Sequence, residues 1–306
     1  MVKHQTLKGI LNLGHPSVHD RLKIITETIQ SHEDTREYLE LIKKVLQAQL
    51  RIDETSNKGA KCDWIEQKPI TSLEQKALEA KKPMIHFLNP EIFDLDALKV
   101  VFRSVLQIFI STYPERKGLR KLLEQLELGT DDFKNWIKAV LNEEGEPISL
   151  WAEKYDIESS FLFFIINTPL QPFIEELSRR ASTSFYDRWW QAPCPICGRI
   201  PRVARIHDRR RYLTCNYCGS EYRSDHFLCV NCENKDPYTL KYMQIEGTPE
   251  YQIDFCTKCK NYLKVIIDRA LPEPIPGFLA DILTLNLDVQ AKHADLVNMD
   301  NNQSKS

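Results

Sequence analysis

Glycine is scarce in this chain, with 10 residues in 306. Loops that cradle phosphate groups need closely spaced glycines, because the backbone must approach the ligand. The sequence contains neither G-x-G-x-x-G nor a P-loop, and it lacks the hydrolase motifs H-E-x-x-H and G-x-S-x-G. We therefore expect a protein that is not an enzyme.

Long apolar runs are also missing. The most apolar segment, residues 157–166, contains Glu158 and two serines and is shorter than the roughly 20 residues that span a bilayer. Residues 1–9 do not resemble the start of a secretory signal with its long apolar region. We expect a cytoplasmic protein with no membrane span, whose thiols stay reduced rather than forming disulfides.

Charge of one sign does not dominate the chain. The net charge is −2, with 27% charged and 42% hydrophobic residues, which is typical of a soluble globular protein. Nothing in this balance indicates a strongly acidic partner such as nucleic acid. The length is sufficient for one or two domains with a sizeable core.

Cysteine, in contrast, is concentrated: eight of the nine cysteines form four C-x-x-C pairs within 66 residues. The pairs are Cys194/Cys197, Cys215/Cys218, Cys229/Cys232 and Cys256/Cys259. Two such pairs complete one tetrahedral site. The gaps of 17 residues (Cys197 to Cys215) and 23 residues (Cys232 to Cys256) lie within and slightly beyond the usual spacing. We predict two metal ions, each bound by four of these cysteines.

Four thiolate ligands leave no open coordination position, so both sites are expected to be closed rather than hydrolytic. Sequential pairing gives two tandem rubredoxin-like or ribbon modules, and interleaved pairing remains an alternative. An all-sulfur tetrahedral site suits both zinc and iron, and iron would permit one-electron chemistry. Gly198 and Gly219 follow the second cysteine of their pairs, which suits the left-handed turn of a metal knuckle.

Three other potential ligands are interpreted as ordinary side chains. Cys62 stands alone and is expected to be a free thiol. His207 and His226 lie in the cysteine-rich region, but eight cysteines already fill two sites, so we do not expect either histidine to bind metal.

Residues 1–183 contain one cysteine and show the apolar periodicity of helices. Helices are predicted from Ser17, Asp34, Ser72, Asp94, Leu119, Thr130, Ile148, Glu158 and Leu170. Their apolar faces predict the core of an irregular helical domain.

After Thr183 the pattern changes to short alternating segments that run into or out of the cysteine pairs. They cover residues 202–206, 211–214, 221–227, 238–245 and 251–255. This is typical of small hairpins whose turns hold a metal. Such hairpins bury little apolar surface, so metal binding would contribute folding free energy on the order of 10 kcal/mol per site.

The sequence therefore predicts an α+β chain in which an N-terminal all-α domain precedes two metal modules and a C-terminal helix. The predicted boundaries are 1–183 for the helical domain, 184–227 and 228–276 for the two rubredoxin-like modules, and 277–297 for the helix. Residues 298–306 are predicted to be a disordered tail.

A run of arginines offers a different hypothesis, a zinc-ribbon protein that binds nucleic acid. The run comprises Arg199, Arg202, Arg205, Arg209, Arg210 and Arg211. Residues 185–277 hold 14 Lys/Arg and 11 Asp/Glu, a formal +3. A divalent metal held by four thiolates carries about −2, so two such sites leave the region nearly neutral. Nucleic acid is therefore an unlikely partner.

Taken together, residues 189–288 resemble the formate dehydrogenase accessory proteins of the FdhE family. The matching motifs are Cys194-Pro-Ile-Cys197-Gly198, Arg211-Tyr-Leu-Thr-Cys215-Asn-Tyr-Cys218, Cys229-Val-Asn-Cys232-Glu, Cys256-Thr-Lys-Cys259 with Tyr262-Leu263-Lys264, and Ala280 to Asp288. Thr257 departs from the glycine that many members have in the last pair. Residues 1–183 agree only in helical character and length.

The resemblance implies a cytoplasmic assembly chaperone that binds the catalytic subunit of formate dehydrogenase during its maturation. It also implies two rubredoxin-like modules behind a helical domain, with the eight paired cysteines as metal ligands. An independent rubredoxin-like electron-transfer protein remains the second alternative, and it would require iron.

Overall fold

The computed structural model describes residues 16–55, 70–126, 130–142, 144–273 and 275–297. The predictions for Cys62 and for the tail at 298–306 lie outside these residues. The described chain divides into two compact units, one drawn from residues 16–72 and 85–176 and the other from 73–84 and 177–297. The predicted domain boundaries at residues 183, 227 and 276 stay predictions.

Ten α-helices precede the first strand in the described part of the chain; nine correspond to the predicted helices, and the short helix after Thr183 was not predicted. They are α1 Val18–Ser31, α2 Arg36–Thr55, α3 Ile70–Ala80, α4 Leu95–Thr112, α5 Lys117–Leu126, α6 Thr130–Leu141, α7 Gly145–Tyr155, α8 Ser159–Asn167, α9 Gln171–Arg180 and α10 Thr183–Arg188. None of the described helices combines the length and apolar character needed to cross a bilayer.

Local sequence explains where the clearest helices begin. Ser17 accepts a hydrogen bond from the backbone N–H of Asp20, and the Asp20 carboxylate accepts one from the N–H of Ser17, a capping box that starts α1. Asp94 caps α4 by accepting from the N–H of Ala97. Each cap satisfies N–H groups that lack a partner inside the helix, so the starts predicted at Ser17 and Asp94 are confirmed.

The core of the helical unit forms around α4, which buries Leu98, Val101, Phe102 and Val105 at helical spacing. One ion pair lies in this unit at a position 3% exposed: the Arg21 guanidinium donates to both carboxylate oxygens of Glu175, at 2.5 and 2.6 Å. The bidentate geometry compensates for the desolvation of both charges.

The cysteine-rich unit contains one six-stranded sheet rather than two separate hairpins. Its strands are β1 Val203–His207, β2 Arg210–Thr214, β3 Glu221–Ser224, β4 Leu240–Gln244, β5 Tyr251–Cys256 and β6 Tyr262–Ile267, in the order β3-β2-β1-β6-β5-β4. All neighbours are antiparallel except β1 and β6, which are parallel with Val203 opposite Lys264. This parallel pair joins the strands of the first predicted module to those of the second.

Strand β6 is the element that sequence patterning did not reveal as a strand. Five of its six residues are buried, so it lacks the apolar–polar alternation of a half-exposed strand. Its position in the sheet, between β1 and β5, explains that burial.

The predicted C-terminal helix is divided into α11 Gly277–Leu283 and α12 Leu285–His293. The division falls at Thr284, whose hydroxyl donates to the carbonyl of Ala280 at 2.6 Å. Residues of α12 pack against the sheet, where Leu287 and Ala291 form a buried cluster with Ile253 and Tyr262. Helix α12 therefore packs on the sheet at β5 and β6.

Two candidate tetracysteine metal centres

All four C-x-x-C pairs form the same backbone turn. In each turn, the N–H of the fourth residue after the first cysteine donates to that cysteine's carbonyl, at 2.8 or 2.9 Å. The four bonds run from Gly198 to Cys194, Gly219 to Cys215, Glu233 to Cys229 and Lys260 to Cys256. The N–H of the first cysteine donates to the carbonyl of the fifth residue after it, directly beyond the residue that closes the turn. A tight turn of this kind brings both thiols of a pair to the same side.

The residue that closes each turn has a left-handed backbone, as the glycines indicated. Gly198 and Gly219 have φ of 78° and 72°, which glycine adopts without steric penalty. The corresponding residues of the later pairs are Glu233 and Lys260, with φ of 56° and 61°. A side chain in this conformation costs about 1–2 kcal/mol, so the later turns are strained where the earlier ones are not.

The eight sulfur atoms gather in two groups that follow sequential pairing. One group is Cys194, Cys197, Cys215 and Cys218, and the other is Cys229, Cys232, Cys256 and Cys259. Within each group the candidate ligand atoms lie within 4.8 Å of one another. The structure therefore decides between the two pairings that the sequence left open.

The sulfur spacing fits a tetrahedral metal. Cross-pair Sγ–Sγ distances are 3.4 and 3.5 Å in the first group and 3.6 and 3.8 Å in the second. Metal–sulfur bonds of about 2.3 Å place tetrahedral sulfurs roughly 3.8 Å apart. A disulfide would need about 2.05 Å. The donor set, four thiols without a carboxylate or imidazole, suits zinc or iron equally.

The first centre is enclosed, because all four of its cysteines are buried. The Ser220 hydroxyl, itself fully buried, lies 3.0 Å from the Cys194 sulfur and 3.3 Å from the Cys218 sulfur. This hydroxyl can donate a hydrogen bond to a thiolate and so stabilise the charged form.

Buried side chains also fix the backbone around the first turn. The Trp189 indole N–H donates to the carbonyl of Pro193 at 2.8 Å, directly before Cys194. The Tyr222 hydroxyl donates to the carbonyl of Ala192 at 2.6 Å. Both rings are about 1% exposed, so this side of the centre excludes water.

The second centre is more open. Cys232 is exposed and Cys259 is half-buried, while Cys229 and Cys256 are buried. The Asn234 side-chain amide donates to the Cys256 sulfur at 3.6 Å, and the Lys258 ammonium donates to the oxygen of the same amide at 2.9 Å. Solvent therefore reaches at least one ligand position of this centre directly.

The thiols differ in their affinity for protons. Thiol hydrogen bonds from Cys194, Cys197 and Cys218 hold the pKa of Cys215 well below its usual value. At Cys256, burial opposes ionisation, but backbone N–H groups and the neighbouring thiols lower the pKa to about 7. Burial raises the pKa of Cys197, Cys218 and Cys229. A metal must displace these protons, so its affinity is expected to fall as the pH falls.

Neither histidine of the region joins a sulfur group. His207 contacts the carboxylates of Asp208 and Asp268 at 3.3 and 3.9 Å, and His226 bonds to the backbone carbonyl of Arg209 at 3.0 Å. This agrees with interpreting both as non-ligands.

The arginine run does not form one exposed surface. Arg205 is buried and pairs with Asp268 at 2.7 Å, and Arg211 is buried and contacts Asp254 at 3.4 Å. Arg199 lies over the Tyr217 ring, 3.5 Å from its centroid. Half of the run therefore serves contacts within the sheet unit.

Sequence reasoning missed three buried polar residues of the sheet unit: Arg211, Ser220 and Lys264. Arg211 was interpreted as part of the basic run, and Ser220 carried no pattern of its own. Lys264 could have been recognised from the sequence, because a lysine inside the apolar run Tyr-Leu-Lys-Val-Ile-Ile requires a buried partner.

Fold and sites together define a class of protein: a helical unit combined with a six-stranded sheet that carries two tetracysteine centres. The same fold occurs in the crystal structure of the FdhE protein from Pseudomonas aeruginosa, with a TM-score of 0.55. That match covers 98% of this chain and 96% of the other, at 20% identity, so it establishes similarity of fold.

Curated relatives are named Protein FdhE homolog. The homolog from Aquifex aeolicus is 28% identical over 151 residues, covering 48% of this chain and 53% of the relative. The homologs from Serratia proteamaculans and Haemophilus influenzae are 31% and 30% identical over 102 and 105 residues, each covering 32% of this chain and 32% and 34% of the relative. The matched part thus spans about half of the first relative and a third of the others.

These matches confirm the resemblance to the FdhE family that the cysteine motifs indicate. No protein-family model matches the chain.

Proposed function

We propose that this chain is a cytoplasmic accessory protein, not an enzyme, that supports the maturation of formate dehydrogenase by binding its catalytic subunit. The single observation that carries the proposal is the presence of two tetracysteine centres within an FdhE-like fold. The link to formate dehydrogenase comes from the family resemblance of the cysteine motifs.

The eight cysteines are the proposed metal ligands. Cys194, Cys197, Cys215 and Cys218 would hold one ion, and Cys229, Cys232, Cys256 and Cys259 the other. Zinc would stabilise the folded modules, and iron would in addition accept and release one electron. The backbone turns orient the sulfurs before binding, and the Ser220 hydroxyl and the Asn234 amide donate hydrogen bonds to them.

Electron transfer is the second candidate function. The exposure of Cys232 favours it, because a redox partner could approach the second centre closely. Metal analysis combined with a visible spectrum, on protein purified without oxygen, tests electron transfer separately from the accessory role. A colourless protein with two zinc ions contradicts electron transfer and leaves the accessory role intact.

The accessory role is tested in a strain that lacks this protein but still makes its formate dehydrogenase. We expect formate oxidation to be lost while the dehydrogenase polypeptide persists, and we expect wild-type protein to restore it. Cys194→Ser should fail to restore it, because the first centre loses a ligand. Cys62→Ser, which changes the one cysteine outside the four C-x-x-C pairs, is the matched control and should restore activity fully.

Co-purification of the catalytic subunit with the tagged wild-type protein is the second readout of that experiment. Normal formate oxidation in the strain without this protein contradicts the accessory role, whatever the metal content.

A further inference from the structure

Arg211 belongs to the first module by sequence, four residues before Cys215 in strand β2, yet its hydrogen bonds reach the second module. One terminal nitrogen, Nη2, donates to the carbonyl of Leu228 at 2.8 Å. The other, Nη1, approaches the carboxylate of Asp254 at 3.4 Å. The side chain is 2% exposed, so these contacts form away from water.

Both hydrogen-bond partners of Arg211 lie just before ligands of the second centre in the sequence. Leu228 directly precedes Cys229, the first ligand of the third cysteine pair. Asp254 lies on β5, two residues before Cys256, the first ligand of the fourth pair. One guanidinium therefore spans the two chain segments that must meet for the second group of four sulfurs to close.

A cavity of about 390 Å³ borders both segments, so part of the space beside them is not filled by protein atoms. Its lining includes Phe227, Leu228 and Cys229 from the first segment and Tyr242 and Asp254 from strands β4 and β5. Leu228 and Cys229 are themselves buried, but a segment beside a cavity makes fewer close-packed contacts than a segment in a filled core. The hydrogen bonds that join this segment to its neighbours therefore contribute more to fixing its position.

Two side chains, Arg211 and His226, make such hydrogen bonds beside the cavity. Arg211 contributes the bond to Leu228, and its Nη2 also donates to the hydroxyl of Ser224 at 3.1 Å. His226 adds one bond to the backbone carbonyl of Arg209 at 3.0 Å. Arg211 contacts both segments, through Leu228 on one and Asp254 on the other.

We propose that Arg211 is a positioning residue for the second metal centre, so that retention of metal there depends on a side chain of the first module. Removing the guanidinium leaves the Leu228 carbonyl and the Asp254 carboxylate without their buried donor. The segments that carry the third and fourth cysteine pairs then lose the side chain that contacts both of them. The first centre receives no hydrogen bond from Arg211, so its metal is retained.

This dependence of the second centre on Arg211 rests on the metal binding proposed above and deepens it. Only the second centre would rely on a side chain of the other module. Loss of such an outer-shell contact typically lowers metal affinity roughly 10- to 100-fold. The planar fork of arginine makes two directed contacts that the single ammonium of lysine cannot reproduce.

The test uses the purified full-length chain as Arg211→Met, Arg211→Lys and, as the matched control, Arg210→Met. Arg210 is the exposed neighbour on the same strand. Metal content is measured directly, and metal release is followed with a chromogenic chelator in excess. Far-ultraviolet circular dichroism checks that each variant keeps the wild-type helix and sheet content.

For Arg211→Met we expect one of the two metals to be retained at the wild-type rate and the other to be released roughly 10- to 100-fold faster. Arg211→Lys should fall between this variant and wild type, and Arg210→Met should match wild type. Adding Cys232→Ser to Arg211→Met should leave the slow metal unchanged, which assigns it to the first centre.

Two metals released at wild-type rates from Arg211→Met overturn the assignment of Arg211. Equal loss of both metals from Arg211→Met and Arg211→Lys also overturns it, because the effect is then not specific to the second centre. Wild-type protein that holds no metal contradicts the proposed metal binding itself, and the assignment of Arg211 with it.

Discussion

The two tetracysteine centres use the same turn, the same ligands and the same spacing, but they lie in different surroundings. The first buries all four sulfurs, closes its turns with glycine and places a fully buried serine hydroxyl between two ligands. The second exposes Cys232 and closes its turns with Glu233 and Lys260. Identical ligand chemistry therefore does not make the two centres equivalent.

The two centres differ in solvent access to their sulfurs and in the backbone strain of their turns. A buried centre excludes water and chelators from the metal, whereas an exposed sulfur offers a direct route for exchange or for a partner. Left-handed non-glycine residues raise the free energy of the folded second module by about 1–2 kcal/mol each. The first centre is suited to a permanent structural role, and the second to a more labile one.

The largest expected effect comes from removing one ligand of each centre. Cys194→Ser should lose the first metal and with it folding free energy on the order of 10 kcal/mol, because no water can replace the buried ligand. Cys232→Ser should weaken metal binding without unfolding the module, because solvent can complete the coordination at this exposed position. Thermal unfolding and metal content, measured on both variants, check this.

Cys62→Ser again serves as the control, with no change expected in metal content. If Cys194→Ser and Cys232→Ser lower the melting temperature equally, the difference in burial does not distinguish the two centres.

A smaller effect is expected at the junction between the modules. The Lys264 ammonium is fully buried and contacts Asp281 at 2.6 Å and Asp288 at 2.8 Å. Lys264→Met should lower the free energy of unfolding by about 3–5 kcal/mol, because two carboxylates lose their shared cation. Urea unfolding of the metal-loaded protein measures this change.

Adding Asp288→Asn to Lys264→Met should recover part of the loss, since one unpaired carboxylate is then removed. Both modules should be affected alike, because β6 pairs with strands of each. A loss confined to one module contradicts the role of Lys264 as a junction residue.

The smallest expected effect concerns the turns. Glu233→Gly and Lys260→Gly should each stabilise the second module by up to about 1 kcal/mol, because glycine relieves the left-handed strain. Gly198→Ala is the reciprocal variant in the first module and should destabilise it by a similar amount. Unfolding midpoints in denaturant for the three variants show whether each change stabilises or destabilises its module. A stabilising effect of Gly198→Ala would contradict the difference in strain between the turns of the two centres.

Much of this architecture could be predicted from local patterns. The caps at Ser17 and Asp94, the helical spacing of the apolar residues and the positive φ at Gly198 and Gly219 all follow from short-range chemistry. The four cysteine pairs indicated two centres, because tetrahedral coordination requires four thiolates each.

Other features could not be predicted, because they depend on pairing over long distances in sequence. Strand β6 is buried by neighbours on both sides and shows no alternation. The single predicted C-terminal helix is divided at Thr284, where the hydroxyl bonds back to the Ala280 carbonyl. Arg211 looked like part of a basic run until its partners on the second module were visible.

The sequence by itself determined the number of centres, their ligand type and the helical character of the first part of the chain, because spacing and periodicity are local. The tertiary structure alone decided sequential pairing, the single sheet and the unequal exposure of the two centres. These depend on which segments meet in space, and the parallel pairing of β1 with β6 brings together residues about 60 positions apart.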